Sequence, residues 1–295
     1  MIVYFNREFV EKEAVALSLD DRGFMFGDGV YEVIRCYRGR GKFFEAEAHL
    51  DRMRRGLGEI RISGWEDIDF LSVARTLLER NALAEADAVI YMQVTRGAPP
   101  TRTHYFPEPD TAPTIYMTAF PYVLKADADA GVSVVTTQDQ RWGRCDIKTI
   151  GLLANCLAQQ QAREQGALEA LLVSDGLALE ATAASLFGVF GGELLTAPTS
   201  ANILPGITRA VVLKLCRENS IPVRETAINA DQLGGADELF LAGTTLEIMP
   251  IVKVDGSPVG RGVPGPLTSR IRALFGSYVY STTGAERAVS PPAEV

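Results

Sequence analysis

Between Lys125 and Lys214 the chain holds a single lysine, Lys148, in the stretch RWGRCDIKTIGLLANCLAQQQA from Arg141 to Ala162. Solvated faces usually carry lysines in company and in mixed charge. This one stands where strand-like sequence gives way to an Ala/Leu/Gln-rich helical pattern. An ammonium drawn partly out of water gives up its proton more readily and becomes an amine nucleophile, as a covalent bond to an aldehyde cofactor requires. On this stretch alone the plainer reading, a surface lysine in an ordinary connection, carries more weight, so the rest of the chain has to decide. Metal chemistry has little to work with. The four cysteines (Cys36, Cys145, Cys156 and Cys216) lack CxxC spacing and the only histidines are His49 and His104, so no metal site is expected.

The elements that must position Lys148 follow from periodicity and punctuation. Ile2–Phe5 and Phe9–Leu17, either side of Asn6-Arg7-Glu8, read as a hairpin. Gly23, Gly27 and Gly29 punctuate a loop before β-rich Val30–Tyr37 and a turn at Arg38–Gly41. Apolar residues at Ala46, Leu50, Met53, Leu57 and Ile60 have helical spacing and leave Arg52 and Arg55 on another face. A second helix is expected over Glu66–Asn81. Strands Ala88–Arg96 and Thr114–Phe120 then flank the Pro-rich loop GAPPTRTHYFPEPDTAP. Polar, alanine-rich Pro121–Gly131 has the composition of a linker.

Beyond it come strand Val132–Thr137, the Lys148 segment with its helix to Gly166, and strands Glu169–Val173 and around Glu180. Leu186–Phe190 and Glu193–Thr196 form a hairpin, and ILPGIT (Ile203–Thr208) turns into a helix ending near Asn219. Strands Glu238–Ala242 and Ile248–Val254 precede a last helix, Leu267–Phe275. No repeat recurs at a fixed period. Strands and helices mixed without regular βαβ alternation imply an α+β fold in two domains. Residues 1–120 form a small N-terminal α+β domain, 121–130 a linker, 131–280 a larger C-terminal domain, and 281–295 a disordered tail.

At 295 residues, 47% apolar and 22% charged, the chain has the composition of a soluble globular protein with well-filled cores. A net charge of −8 argues against nucleic acid as a partner. The start, MIVYFNREFVEKE, does not read as a signal peptide, and no stretch approaches a membrane span, so a reduced, cytoplasmic protein without membrane partners is the expectation.

Taken in order, DRGFMFGDGVYEV, HLDRM, YMQVTRG with RTHYFP, RCDIKT, LLVSDG with its following LE, ILPGIT and DELFLAGTTLEIMP resemble the fold-type IV pyridoxal-phosphate enzymes. That family includes branched-chain aminotransferases, D-amino acid aminotransferases and 4-amino-4-deoxychorismate lyases. The resemblance runs from about Asp20 to Phe275 and implies pyridoxal 5′-phosphate bound in the larger domain. It makes Lys148 the Schiff-base lysine, whose freed amine carries a proton between the substrate Cα and the cofactor. Glu180 matches the carboxylate facing the pyridine nitrogen; on its own it would read as a strand-end glutamate in solvent. Arg52, in HLDR, matches the phosphate-binding arginine, a guanidinium suiting a phosphate dianion. Ile207 and Thr208 match a phosphate cradle of backbone N–H groups at a helix start, and Thr244 of the GTT turn adds a hydroxyl and an amide. Leu204 matches the apolar residue packed on the cofactor ring.

Tyr31, Arg102 and His104 resemble the set that captures the substrate α-carboxylate in the D-amino acid branch. The resemblance therefore implies a transaminase moving an amino group between a D-amino acid and a 2-oxo acid. An L-branched-chain aminotransferase and a 4-amino-4-deoxychorismate lyase are the alternatives. Family members are generally homodimers whose loops reach the partner's site, and the loop carrying Arg102 and His104 is the candidate to cross. Departures are local. The loop from Gly97 to Arg102 is one residue longer than the usual pattern. Ala181, Thr182, Ala183, Ala184 and Ser185 stand where the D-specific branch has a glycine and a serine run, and Gly243 and Leu246 replace serines. The wall becomes more apolar, which favours apolar D-amino acids, and extends to primary (R)-amines, over acidic substrates.

Overall fold

The structure is a computed structural model describing residues 1–38, 42–108, 111–124 and 126–284. The expected Arg38–Gly41 turn lies outside the described residues from position 39 on, as do position 125 of the linker and the tail from 285.

Strands β1 (Ile2–Phe5), β2 (Glu8–Glu11), β3 (Gly29–Tyr37), β4 (Lys42–Phe43), β5 (Ala88–Thr95) and β6 (Thr114–Pro121) form an antiparallel sheet in the order β2-β1-β6-β5-β3-β4. Side chains alternate across a strand. Val30, Glu32, Ile34 and Cys36 therefore share the face of β3 that points into the core, and Tyr31 stands on the other. The hairpin is shorter than expected, since β2 ends at Glu11 and a 3-10 turn takes Lys12–Ala14. Where a loop was expected, Arg22–Phe26 is a short helix, α1. The Asp21 carboxylate accepts the Gly23 and Phe24 N–H groups, and Gly27 closes it at φ 68°.

Helices α2 (Ala46–Glu59) and α3 (Phe70–Arg80) cover the sheet; Leu50, Met53, Leu57, Leu77 and Leu78 share a core with Ile34 and Ile90. The α3 helix begins at Phe70 rather than Glu66 because Asp69 caps it, accepting from the Ser72 N–H. Arg52 is not on an outer face of α2. It is buried beside Leu50 and Met53, since a carboxylate of β3 receives its charge.

The second sheet contains β7 (Val132–Gln138), β8 (Glu169–Ser174), β9 (Leu177–Ala181), β10 (Ser185–Phe190), β11 (Glu193–Thr196), β12 (Val223–Glu225), β13 (Ile228–Asn229), β14 (Glu238–Gly243), β15 (Glu247–Val254) and β16 (Ser257–Pro258). Its order is β12-β11-β10-β14-β15-β7-β8-β9-β13, with β16 on β15. Glu180 and Ser185 pair across β9 and β10, so six strands close into a barrel. All six contribute to one apolar cluster, through Val134, Leu171, Ala178, Leu186, Leu241 and Met249 among others. Helix α4 (Leu153–Glu164) packs outside β7 and β8. Helices α5 (Ile207–Glu218) and α6 (Pro266–Thr283) cover β10 and β14, where Phe187 stacks on Phe240 at 4.8 Å. The last helix runs to Thr283, past the expected end at Phe275, because Val279 and Thr283 are buried and Gly284 supplies the left-handed cap. Positions 281–283, assigned to the tail from sequence, therefore belong to a packed helix. Among the described residues, no helix is long and apolar enough to cross a membrane.

Candidate active site

The connection from β7 to α4 runs back across the start of β3. The Tyr31 N–H donates to the Lys148 carbonyl at 3.0 Å, the Ile150 N–H donates to the Gly29 carbonyl at 3.1 Å, and Thr149 bridges to Val30. This approach requires bare backbone. A Cβ on Gly27 would lie 3.1 Å from the Gly151 Cα, in a left-handed turn that also favours glycine. Lys148 is thereby fixed at the seam between the sheets, with Nζ donating to Tyr31 Oη at 3.2 Å and 4.2 Å from that ring's centroid.

Glu180, next to last in β9, is buried. Its Oε1 accepts from Arg141 Nη1 at 2.6 Å and from the Leu204 N–H at 3.1 Å. Arg141 is itself clamped by both oxygens of Asp139 and by the Asn202 carbonyl. Burial pushes the Glu180 carboxyl above its ordinary value, with the Arg141 charge and hydrogen bond and the Leu204 amide pulling the other way.

At the start of α5, Gly206 offers no capping side chain, and the helix opens with Ile207 and Thr208 facing the cavity. The first N–H groups of a helix lack intrahelical partners and attract anions. Arg52 reaches this end, Nη1 donating to the Pro205 carbonyl at 2.9 Å. Its Nε and Nη2 donate to the two oxygens of Glu32 at 2.9 and 2.8 Å, and His49 Nδ1 lies 3.0 Å from Glu32 Oε1. Burial alone would raise the Glu32 carboxyl, but Arg52 and His49 more than reverse this and hold it well below the carboxylate range. Burial likewise pulls the His49 imidazole down, against Glu32.

A single cavity of about 720 Å³ brings these groups together. Lys148 and Tyr31 line one side, Glu180 and Leu204 another, and Arg52, Ile207, Thr208 and Thr244 a third. His104 completes the lining at the loop side, edge-on to Phe26 at 5.6 Å. Arg102 does not line it: this arginine is exposed, its guanidinium carbon 4.7 Å from the Phe26 ring centroid. The wall from Ala181 to Ala184 and Gly243 presents methyl groups and backbone, and Leu246 is half-buried beside the turn. Nine of the ten residues singled out from sequence thus share one cavity.

Sequence reasoning gave no role to Glu32, His49, Asp139 or Arg141. A signal existed for Glu32, a carboxylate inside the β-rich run GVYEV, since a buried charge needs a partner. Arg141 opens the very stretch that drew attention to Lys148, but its partner Glu180 lies in a different strand.

The family model described as amino-transferase class IV matches residues 29–254. The chain belongs to the class IV aminotransferases. It is 37% identical over 287 residues to a D-alanine aminotransferase of Bacillus licheniformis, covering 96% of this chain and 99% of that one. A D-alanine aminotransferase of Staphylococcus haemolyticus is 36% identical over 281 residues, 95% and 98% of the two chains. Among solved structures, the branched-chain amino acid aminotransferase from Escherichia coli superposes with a TM-score of 0.84 at 28% identity, covering 98% and 97%. The branched-chain aminotransferase from Thermoproteus uzoniensis, solved with norvaline, gives 0.82 at 25% identity, covering 97% and 96%. The fold is that of the fold-type IV enzymes, α+β with strands and helices as described.

Pyridoxal 5′-phosphate is the cofactor this family implies, and the donor set of the aminotransferase fits it. An amine for the aldehyde, a buried carboxyl for the ring nitrogen and an uncapped helix start for the phosphate open on one cavity. The cradle is also tight. A Cβ on Gly206 would stand 2.6 Å from Ser185 Oγ.

Proposed function

We propose that this aminotransferase moves an amino group between a D-amino acid and a 2-oxo acid, with pyridoxal 5′-phosphate held in the cavity between the two sheets. The observation that carries the reading is the convergence of Lys148, Glu180 and the start of α5, from three separate elements, on that cavity. The D-configuration is supported by the D-alanine aminotransferase relatives and by the Tyr31 and His104 side chains on the loop side.

The cofactor, when bound, supplies a sink for the electron pair left at the substrate Cα. Lys148 Nζ is the base that takes the Cα proton and returns it, and Tyr31 Oη, its hydrogen-bond partner, holds its direction. Glu180 holds a proton at the ring-nitrogen end, supported by Arg141 and the Leu204 amide. Ile207 and Thr208 N–H groups, Thr244 and the remaining donors of Arg52 hold the phosphate. Leu204 and the alanine wall keep water from that face, which favours apolar side chains and extends to primary (R)-amines. Of the pair proposed for the α-carboxylate, His104 lines the cavity and would take it, and Arg102 stands outside the lining on the same loop. Trp142, Leu153 and Leu157, which flank the Lys148 segment, are exposed apolar groups that a second copy of the chain would cover, which supports a homodimer as the working unit.

The test is a half-reaction series. Apolar D-amino acids should bleach the visible-edge absorbance of the holoenzyme and 2-oxo acids restore it, and borohydride should label Lys148. The K148A variant should lose both. The solved branched-chain relatives favour a second reading, an L-branched-chain activity. Bleaching by L-leucine but not by D-alanine or D-leucine would establish that one instead.

A further inference from the structure

Glu169 opens β8 with its side chain buried, 5% exposed, and has no part in the site described above. Its Oε2 lies 2.6 Å from the Thr182 hydroxyl and 3.2 Å from the Thr182 N–H. The same hydroxyl lies 2.8 Å from Gln159 Oε1, and Gln159 Nε2 donates to the Leu168 carbonyl at 2.7 Å. A count of hydrogens on this set does not close if Glu169 is ionised. The Leu168 carbonyl can only accept, so the Gln159 amide must turn its NH₂ toward it and its oxygen toward Thr182. The hydroxyl then has one proton and two acceptors. Whichever way it turns, two oxygens face each other at hydrogen-bond distance without a hydrogen between them. Among these groups only the Glu169 carboxyl can supply the missing one.

We infer that Glu169 is un-ionised and serves as a positioning residue, the first donor of a one-way chain from Glu169 to Thr182, Gln159 and the Leu168 carbonyl. Thr182 belongs to the cavity wall that follows Glu180, and Gln159 to the helix that follows Lys148. Asn155, also on α4, adds a bond from Nδ2 to the Thr182 carbonyl at 2.8 Å. The chain therefore ties the segment behind the amine to the segment behind the carboxyl. Its geometry bears on the spacing of the two groups that act on the substrate and the ring nitrogen. Burial pushes the Glu169 carboxyl up, and the groups acting on it are the Thr182 hydroxyl and amide and the Ala170 amide, none of them a cation.

The proton on Glu169 stands independently of the transamination reading; its effect on turnover rests on that reading. The experiment is infrared difference spectroscopy of the holoenzyme against E169Q at neutral pH, with ¹³C-labelled glutamate, together with steady-state kinetics of E169Q and E169A. An un-ionised carboxyl band that shifts with the label and is missing from E169Q is expected. Glutamine keeps a donor toward Thr182, so E169Q should retain kcat within about twofold. E169A should lose roughly tenfold in kcat with KM little changed, as small misplacements of reacting groups do. Absence of such a band, or an E169Q loss as large as that of E169A, overturns the proposal. If E169A does not fold, the band and the E169Q kinetics still decide. If the enzyme transfers no amino group, the band alone does.

Discussion

Replacing Arg141 by alanine strips one cation from between two carboxylates. The Arg141 side chain is 9% exposed and those of Asp139 and Glu180 are 9% and 7% exposed, so water cannot take its place cheaply. Breaking such a pair from one side costs about 3–5 kcal/mol, because it leaves uncompensated charge in the interior. Glu180 can escape part of that cost by keeping a proton. Its carboxyl is already raised by burial, and the Arg141 charge and hydrogen bond are among the influences holding it down. The sign follows. A raised folded-state value contributes stability that is complete below the unfolded value of about 4.5 and is lost as pH climbs through the folded value. Without Arg141 that value moves higher, so the loss extends further up the pH scale. The thermal midpoint of R141A should fall on the order of 8 °C at pH 8 and by clearly less at pH 5. Scanning calorimetry at both pH values, with and without pyridoxal phosphate, measures this. R141M, which keeps most of the packing, should behave like R141A. A midpoint within about 2 °C of wild type at pH 8, a pH-independent loss, or full stability of R141M would each refute the reasoning.

Three further outcomes are expected. His49 is held below its ordinary value, so its contribution to stability is present above about pH 6.5 and lost on acidification; H49Q should flatten the decline between pH 7 and 5 in urea unfolding. G206A puts a Cβ 2.6 Å from Ser185 Oγ and 3.2 Å from Arg209 Cβ at the start of α5, and should weaken cofactor retention roughly tenfold in equilibrium dialysis. G243S brings a Cβ to 3.3 Å from that of Ala184 and adds a hydroxyl to the apolar wall. Its ratio of kcat/KM for D-leucine over D-glutamate should drop about threefold to tenfold.

What could be read from the sequence was what acts locally. RCDIKT, ILPGIT and the GTT turn each do their work within a few residues, through one side chain or a run of backbone N–H groups, and each now faces one cavity. What could not be read was pairing across elements. Helical spacing put Arg52 off the apolar stripe of α2, yet Glu32, in a strand on the other side of the core, draws it inward. Periodicity reports the average polarity of a face and carries no information about a counter-ion in another element. Arg141 and Glu180 were hidden from each other in the same way. The short elements failed for a different reason. The α1 helix rests on one capping aspartate and one glycine rather than an apolar stripe, and β12 and β13 are too brief to alternate.

The Arg52 guanidinium also constrains how a phosphate can be held. Arg52 already gives three of its five N–H donors to Glu32 and the Pro205 carbonyl, and its charge is matched by a carboxylate held firmly ionised. His49, pulled down by burial, adds little positive charge. A phosphate at the start of α5 would meet oriented N–H groups more than net charge. Dipoles fixed at contact distance are screened far less by salt than separated charges across solvent. Cofactor retention by the aminotransferase should therefore change little between low and physiological ionic strength. It should respond strongly to E32Q, which frees the guanidinium from its carboxylate and lets it swing out of register with the helix start.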